Sequence, residues 1–388
     1  MTKIRVGFLL GNVGWLGGVN YFRNLLTAVH AVSAKDIEIV VFTGLYSDVK
    51  AFESIAQIVR TPILDRKSPQ WWISKFMSRI FPKRDYVLYK KLKEYKIDVL
   101  SHASPLWPNS GIKTVTWIPD FQHLHLPEFF DKKECRSRDA AFMAMARNSD
   151  CVILSSETAQ RDLIAFAPVA AARSEVLRFV PEINLAQNIL SSEQLSRKYG
   201  FSEKYFYMPN QFWKHKNHRV VIEALILLKK SCHNFTLLTT GANEDVRNPG
   251  HFKEIMSLVK ANGLDSNFKM LGVIPYADLL SLMHNSVSVV NPSLFEGWSS
   301  TVEEAKALGK KILISDIPVH REQNPELGIF FDPLNAHDLA EKMIQVMHAD
   351  NSTKISDIEH TPSYPIMRKK FGEKYAEIIR QVHFHEKI

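Results

Sequence analysis

A strand, a loop and the start of a helix follow one another in the stretch VSVVNPSLFEGWSSTVEEA, residues 287–305. The largely apolar run Val287–Val290 is typical of a strand that is buried on both faces, and the periodic residues Ser300–Leu308 predict a helix. The asparagine, proline and glycine between them indicate a loop. A strand that passes through a loop into a helix is the repeating unit of α/β proteins, so this stretch predicts that fold class.

The same alternation extends along most of the chain. Other short apolar runs predict strands at Val6–Leu10, Ile37–Phe42, Val99–Leu100, Val115–Ile118, Cys151–Leu154, Tyr205–Met208, Phe235–Leu238 and Ile312–Ile314. Segments of helical periodicity lie at Tyr21–Val32, His218–Leu228, Ala336–Met347 and Tyr364–Val382. Repeated βα units of this kind predict parallel sheets with helices on both faces.

The alternating pattern weakens between Pro181 and Ser202. Since domains commonly hold about 100–200 residues, a chain of 388 residues is expected to form two. We therefore predict one Rossmann-like domain over residues 1–185 and a second over residues 186–363. The last periodic stretch, about 364–388, follows a polar segment and is predicted as a helix that leaves the second domain.

Composition excludes several classes of protein. The chain is 45% hydrophobic and 23% charged, and it has no run of the roughly 18 apolar residues that a membrane-spanning helix needs. Its three cysteines, Cys135, Cys151 and Cys232, are far apart, which fits neither a disulfide framework nor a metal site. The first residues are typical of a strand rather than a secretory signal. An integral membrane protein is excluded, and a cytoplasmic location is predicted.

The basic excess is concentrated in one segment. Residues 66–96 contain ten Lys or Arg and only Asp85 and Glu94 as acids, a net +8 that equals the charge of the whole chain. Within it, Lys75 and Arg79 share one side of a predicted helix, and the other side carries Trp72, Ile73, Phe76, Met77 and Ile80. This pattern indicates either a peripheral helix on an anionic membrane surface or an amphipathic helix packed on its own domain. Nucleic acid is not an expected partner, because no nucleic-acid module accompanies the charge.

The stretch 291–305 carries acidic residues around the start of a helix, which suits a ligand with hydroxyls at both ends and a diphosphate between them, as in a nucleotide sugar. Glu296 lies in the loop and Glu304 one turn into the helix, so both can face one ligand across the helix start. The backbone N–H groups of Trp298, Ser299, Ser300 and Thr301 can bind an anion between the two acids, and Gly297 beside them is a further substrate-binding candidate. A capping box of Ser300 and Glu303 is the alternative, and it accounts for neither Glu296 nor Glu304.

A glycine-rich turn, GNVGWLGGVN at residues 11–20, follows the first predicted strand. Such a turn before a helix suits a phosphate or a closely approaching sugar, and a plain βα turn is the alternative. A dinucleotide site is disfavoured because the G-x-G-x-x-G spacing is absent and the second strand closes on Phe42-Thr43-Gly44 rather than on an acid.

The motif Phe-Glu-Gly-(x)6-Glu-Ala around Glu296 and Glu304 resembles the signature of family four of the retaining glycosyltransferases with the GT-B fold. The resemblance implies that Glu296 holds the donor sugar and Glu304 the ribose hydroxyls. The stretch PNQFWKHKNH, residues 209–218, is similar to the family's basic loop, with Lys216 at the place of the lysine that contacts the donor diphosphate. Gln211 stands nearest to the place of a frequent family arginine, so Lys214 is a candidate for the second charge.

Two further segments of the first domain resemble this family. Gly17 and Gly18 match its N-terminal glycine loop. The stretch WIPDFQHLHLPEF, residues 117–129, lies where many members carry a His-Asp pair near the sugar. Here His123 or His125 takes the place of that histidine, or Asp120 acts alone, and two surface histidines are the alternative. No third metal ligand and no Asp-x-Asp accompany them, so no metal is expected.

The resemblance implies two Rossmann-like domains facing across a cleft, with the acceptor on the first and the nucleotide sugar on the second. It also implies that the C-terminal helix crosses back to the first domain. The expected reaction moves a hexose to a glycan or lipid-linked acceptor with retention of configuration. Mannose is the first hypothesis for the sugar, because the chain resembles bacterial surface-polysaccharide mannosyltransferases. A nucleotide-sugar-hydrolysing epimerase of the same fold and a non-catalytic glycan-binding relative are the alternatives.

Overall fold

The structure is a computed structural model, and it describes residues 3–11, 16–80, 85–107, 109–183, 189–201, 204–231, 235–348 and 363–384. The chain forms two compact units. Unit 1 comprises Met1–Phe121, Arg136–Glu182 and Pro365–Ile388, and unit 2 comprises Gln122–Cys135 and Ile183–Tyr364. The prediction placed residues 122–135 in the first domain, whereas the structure groups them with unit 2.

Thirteen strands are present in the described residues. They are β1 (Ile4–Leu10), β2 (Ile37–Thr43), β3 (Gln57–Arg60), β4 (Val99–Ser101), β5 (Lys113–Ile118), β6 (Cys151–Leu154), β7 (Ser174–Val176), β8 (Phe206–Met208), β9 (Leu237–Thr239), β10 (Phe268–Met270), β11 (Ser288–Asn291), β12 (Ile312–Ser315) and β13 (Gly328–Phe331).

The α-helices of the same residues are α1 (Leu16–Ser33), α2 (Pro69–Ile80), α3 (Tyr86–Glu94), α4 (Gln122–His125), α5 (Lys132–Asn148), α6 (Glu157–Phe166), α7 (Ser192–Tyr199), α8 (His218–Ser231), α9 (His251–Ala261), α10 (Tyr276–Asn285), α11 (Ser300–Ala307), α12 (Pro318–Gln323), α13 (Ala336–His348) and α14 (Ser363–Phe384). None of the helices in the described ranges is long and apolar enough to span a membrane.

Unit 1 is built on a seven-stranded parallel sheet in the order β3-β2-β1-β4-β5-β6-β7. Its central strands are buried almost throughout, as their continuous apolar sequences predict. Helix α14 packs in this unit, where Gly372 lies so close to α1 that an added Cβ would come within 2.5 Å of the Ala28 carbonyl oxygen. The Tyr375 hydroxyl donates to Ser101 Oγ at 2.7 Å, and the Arg380 guanidinium pairs with Asp36 at 2.7 Å.

Unit 2 is built on a six-stranded parallel sheet in the order β10-β9-β8-β11-β12-β13. Strand β8 begins the unit's sheet, and the chain first adds strands on one side of it and then, from β11, on the other. In parallel sheets a ligand site forms at the carboxyl ends of the two strands where the order reverses. Here that point lies between β8 and β11, so the loops that follow these strands, residues 209–217 and 292–299, are brought together.

The two parallel-sheet, Rossmann-like units confirm the predicted α/β class. The predicted strands are present within a few residues, but β3, β7, β10 and β13 were missed. Each of the four is an edge strand of its sheet, and their side chains are mostly half-buried or exposed. An edge strand needs less apolar sequence than a central one, which removes the signal on which the prediction depended.

Candidate functional site

The basic loop of unit 2 is held against the loop that follows β11 by one asparagine. Residues Lys214–Lys216 form a single 3-10 turn, which ends at Asn217 in the left-handed conformation (φ 55°). The Asn217 side-chain amide donates to the carbonyl oxygens of Pro292 (3.1 Å) and Pro333 (2.8 Å). The Leu294 N–H also donates to the His215 carbonyl at 2.8 Å. These bonds bring Lys216 to Glu296.

Lys216 and Glu296 form a largely buried ion pair. Lys216 Nζ lies 2.6 Å from Glu296 Oε1, and the two side chains are 15% and 10% exposed. The Ser293 hydroxyl lies 2.6 Å from the same oxygen. Burial is the largest single effect and raises the pKa of Glu296, but the charge and hydrogen bond of Lys216 together with the neighbouring His215 and His320 outweigh it, so the pKa is lowered. Glu296 Oε2 makes no hydrogen bond to the residues that the structure describes, so this oxygen is available to a ligand hydroxyl.

Glu304 has a different environment in the second turn of α11. Its side chain is buried, and the Tyr276 hydroxyl donates to Oε1 at 2.9 Å. No cation pairs with it within the described residues. Burial therefore raises the pKa of Glu304 to about 7, against a smaller opposing effect of the Tyr276 hydrogen bond. A ligand that donates hydroxyl hydrogens to Glu304 would stabilise its ionised form.

The N-terminus of α11 is arranged differently from the predicted capping box. Gln323 Oε1 accepts from the Ser299 N–H at 3.2 Å, and Gln323 Nε2 donates to the Ser299 carbonyl (3.0 Å) and to Glu303 Oε1 (2.9 Å). Glu303 also pairs with Lys306 at 3.1 Å. Glu303 is thus occupied away from Ser300, and the Ser299 N–H is not free for an anion. The N–H groups of Ser300 and Thr301 make no bond to the described residues, while Gly297 and Trp298 precede them in the loop.

Three buried polar residues that the sequence analysis did not predict, Asn291, Ser315 and His320, stabilise the acidic loop through hydrogen bonds. Ser315, at the end of β12, donates to the Ser293 carbonyl at 2.6 Å, and His320 Nδ1 lies 2.9 Å from the Ser315 carbonyl oxygen. Asn291, at the end of β11, donates to Ser299 Oγ at 2.8 Å. Burial lowers the pKa of His320 to about 4. For Asn291 and Ser315, the signal in the sequence is a polar residue at the carboxyl end of an apolar strand, whereas His320 lies on α12 and has no such signal.

The segment 122–135 places several candidate residues beside the basic loop. Lys214 Nζ lies 5.0 Å from the centre of the Phe129 ring, and the His125 ring lies 5.1 Å from that of Phe295. His123 is buried, with its ring 6.3 Å from Phe130. These histidines therefore lie in unit 2.

The remaining predicted residues lie elsewhere. Asp120 belongs to unit 1, so it is grouped apart from the two histidines. Gly17 and Gly18 lie in the first turn of α1, and residues 12–15 of the glycine-rich turn lie outside the described residues. Gln211 is approached by the backbone of Gly241, at which an added Cβ would lie 2.8 Å from Gln211 Cα. In the described parts of the chain, no group of three His, Cys, Asp or Glu side chains is placed to hold a metal ion.

Comparison with known proteins gives a family match for unit 2 alone. Residues 191–357, which include the basic loop and both glutamates, match the family model described as Glycosyl transferases group 1. A Campylobacter jejuni protein, N,N'-diacetylbacillosaminyl-diphospho-undecaprenol alpha-1,3-N-acetylgalactosaminyltransferase, is 30% identical over 145 residues. This match covers 34% of the present chain and 37% of the relative, so the chain aligns with little more than a third of it.

Solved structures match over both units. Anabaena HepE in complex with UDP and glucose has a TM-score of 0.70 at 15% identity and covers 97% of this chain and 100% of its own. A glycosyltransferase from Rickettsia africae has a TM-score of 0.65 at 15% identity, with both chains covered completely. The fold is GT-B. At this identity the likeness shows the fold, and the activity is treated below as a proposal.

Proposed function

We propose that the protein is a glycosyltransferase that moves a hexose from a nucleotide diphosphate sugar to a hydroxyl of a glycan or lipid-linked acceptor. The observation that carries the proposal is the pair of buried carboxylates on either side of the α11 N-terminus. Glu296 forms an ion pair with Lys216, and its second oxygen makes no hydrogen bond to the described residues. Glu304 has a raised pKa, and hydroxyl groups that donate to it would stabilise its ionised form. A donor sugar at Glu296, a diphosphate at the helix start and a ribose at Glu304 match this order of groups.

The charge that develops on the departing nucleotide diphosphate is stabilised by fixed groups of the protein. Lys216 is held in place by Glu296, and the free N–H groups of Ser300 and Thr301 lie at the positive end of α11. His123 or His125, both in unit 2 with the basic loop, takes the place of the family's histidine beside the donor sugar. This arrangement requires no metal cofactor, and the configuration at the anomeric carbon is retained, as the family resemblance implies.

Three sugars are candidates for the donor. Mannose is the first hypothesis, from the resemblance to surface-polysaccharide mannosyltransferases. The Campylobacter relative is named for N-acetylgalactosamine, and HepE was crystallised with UDP and glucose. A donor panel therefore includes GDP-mannose, UDP-N-acetylgalactosamine and UDP-glucose.

The function is tested by a thermal-shift screen against UDP, GDP, ADP and dTDP, followed by turnover of the donors of the stabilising base. Ligand binding stabilises the native state by RT ln(1 + [L]/Kd), so the cognate diphosphate raises the melting temperature above the others. Transfer to an added acceptor supports the proposal. Release of free sugar or nucleotide without an acceptor indicates the hydrolysing epimerase instead, and binding without turnover of any donor indicates a non-catalytic relative.

We also propose that helix α2 docks the protein on an anionic membrane surface, where a lipid-linked acceptor is available. Trp72, Ile73 and Phe76 are 54–62% exposed on this helix, and Lys75 is exposed beside them. The buried Ser74, whose hydroxyl donates to Asp85 at 2.6 Å, faces the unit instead. These exposed apolar side chains and the exposed Lys75 beside them support the peripheral interpretation of residues 66–96. The Campylobacter relative is named for a diphospho-undecaprenol acceptor, which is also a lipid.

A further inference from the structure

Two cations beside the proposed donor site have no acidic partner among the residues that the structure describes. Lys216 is neutralised by Glu296 at 2.6 Å. Neither the Lys214 ammonium nor the Arg247 guanidinium forms an ion pair with a carboxylate of the described residues. Lys214 is exposed, so water can solvate its ammonium group, whereas Arg247 is half-buried. A half-buried guanidinium without a carboxylate partner among the described residues requires an explanation.

Aromatic rings hold both cations in place. Lys214 Nζ lies 5.0 Å from the centre of the Phe129 ring, and Arg247 Cζ lies 4.5 Å from that of Phe130. Arg247 Nη1 also donates to Oε1 of the buried Gln122 at 3.3 Å. A ring face attracts a cation through its quadrupole but carries no net charge. The positive charge is therefore positioned without being cancelled.

Asp245 fixes the backbone under the same two residues. Its Oδ2 accepts from the Lys214 N–H and its Oδ1 from the Arg247 N–H, each at 3.0 Å. Burial acts to raise the pKa of Asp245, but these and two further hydrogen bonds from Asn248 lower it overall. This carboxylate accepts from three main-chain N–H groups and the Asn248 side-chain amide, so it orders the turn and pairs with neither side-chain cation.

The Arg247 side chain belongs to the same edge of unit 2 as the Lys216–Glu296 pair. The segment whose Phe130 and Gln122 contact Arg247 also contacts the acidic loop, through His125 and Phe295. His215, next to Lys216, is buried, and its pKa is lowered to about 3 by that burial first and then by Lys216, with Arg247 acting in the same direction. The charge of Arg247 thus acts on the loop that carries Lys216.

We infer that Arg247 is a further cation for the diphosphate of the donor, and that Phe130 and Gln122 are positioning residues for it. The inference rests on the proposed function, since it concerns the ligand of that site. Lys216 alone, paired with Glu296, offers little net charge to a diphosphate. Arg247 supplies an unpaired charge and a planar set of N–H donors that suits phosphate oxygens.

The test compares binding of the stabilising nucleoside diphosphate, its monophosphate and inorganic pyrophosphate by calorimetry. Arg247→Gln is expected to weaken the diphosphate and pyrophosphate about 10–100-fold, the range for losing a charged hydrogen-bond partner, and the monophosphate less than about threefold. Arg247→Lys keeps the charge and is expected to lose less. Arg219→Gln is the matched control, because Arg219 pairs with Glu223 and Glu254 on α8 and α9 and its loss should change none of the three affinities.

The positioning part is tested with Phe130→Leu, which removes the ring, and Phe130→Tyr, which keeps it. The leucine variant is expected to lose diphosphate affinity by about three- to tenfold and, because Phe130 is buried, to melt at a somewhat lower temperature, so binding is compared below the melting transition of both proteins. The tyrosine variant is expected to retain the affinity. If the wild type binds a nucleoside diphosphate and Arg247→Gln binds it with the same affinity, this inference is wrong, whereas the proposed function still stands. Failure of the wild type to bind any of UDP, GDP, ADP and dTDP contradicts both.

Discussion

Glu296 and Glu304 are both buried carboxylates, but only Glu296 is paired with a cation. In the proposed site, Glu296 contacts the sugar and Glu304 the ribose. Glu304→Gln is therefore expected to weaken binding of the nucleoside diphosphate itself by about tenfold, the effect of losing a charged acceptor. Glu296→Gln should leave that affinity at least as high, because Lys216 is no longer neutralised, while sugar transfer falls. Calorimetry with the cognate diphosphate separates the two variants, and equal losses of affinity would contradict this division of roles.

The ionisation of Glu304 affects the stability of the ligand-free protein. Its pKa of about 7 lies above the ordinary value of 4.5. Between these values the folded protein retains a proton that the unfolded chain has lost, so the stability falls as the pH rises and the full cost is present above pH 7. Glu304→Gln removes this titration and keeps an acceptor for Tyr276. The free energy of unfolding of this variant should equal that of the wild type below pH 4.5 and exceed it by about 3 kcal/mol above pH 7.

Urea denaturation at pH 5 and pH 8 measures this difference. Glu303→Gln is the control on the same helix. Glu303 is paired with Lys306 and bonded by Gln323, so its neutralisation should lower stability at pH 8 rather than raise it. An equal stability of the wild type and Glu304→Gln at pH 8 would show that the carboxyl is ionised without cost.

Helix α2 has the exposed aromatic residues Trp72 and Phe76 and the exposed Lys75. Each Lys or Arg near an anionic surface contributes about 1 kcal/mol, so several suffice for reversible docking. We expect the protein to co-sediment with anionic liposomes at low salt and to be released as salt screens the charges. Lys75→Glu combined with Arg79→Glu should abolish sedimentation, and Trp72→Ser with Phe76→Ser should weaken it.

These variants should leave nucleotide binding unchanged, because α2 belongs to unit 1 and the proposed nucleotide site to unit 2. Val246→Ser is a matched control, since Val246 is also an exposed apolar residue but lies in unit 2. If the wild type does not sediment with anionic liposomes at low salt, the docking proposal is wrong and a water-soluble acceptor is favoured.

In the molecule as a whole, groups of the protein rather than a metal ion are expected to stabilise the negative charge of the departing diphosphate. Activity is therefore expected to survive EDTA, and Lys216→Ala should lower turnover by about 100-fold or more, the effect of removing one preorganised donor of this kind. Steady-state rates with and without EDTA check the first expectation. An absolute requirement for added Mg²⁺ or Mn²⁺ would contradict the assignment of the diphosphate charge to Lys216 and the α11 terminus.

The central strands and several of the helices could be predicted because their signal is local. A strand buried on both faces must be apolar along its length, as Val6–Leu10 and Cys151–Leu154 are, and a packed helix such as α8 must repeat its apolar residues every turn. The motif with Glu296 and Glu304 could also be recognised from the sequence, because a loop and the helix that follows it are contiguous along the chain.

Only the tertiary structure decided which side chains meet across the sequence. The Lys216–Glu296 pair joins residues 80 apart, and the contact of Arg247 with Gln122 joins residues 125 apart. The Ser299 N–H, which was predicted to bind an anion, instead donates to the side chain of Gln323, 24 residues further along the chain. No periodicity records such contacts, because they depend on strand order and on which loops that order places together. The composition and pattern of the chain determined its two α/β units, and the reversal of strand order between β8 and β11 determined which residues form the site.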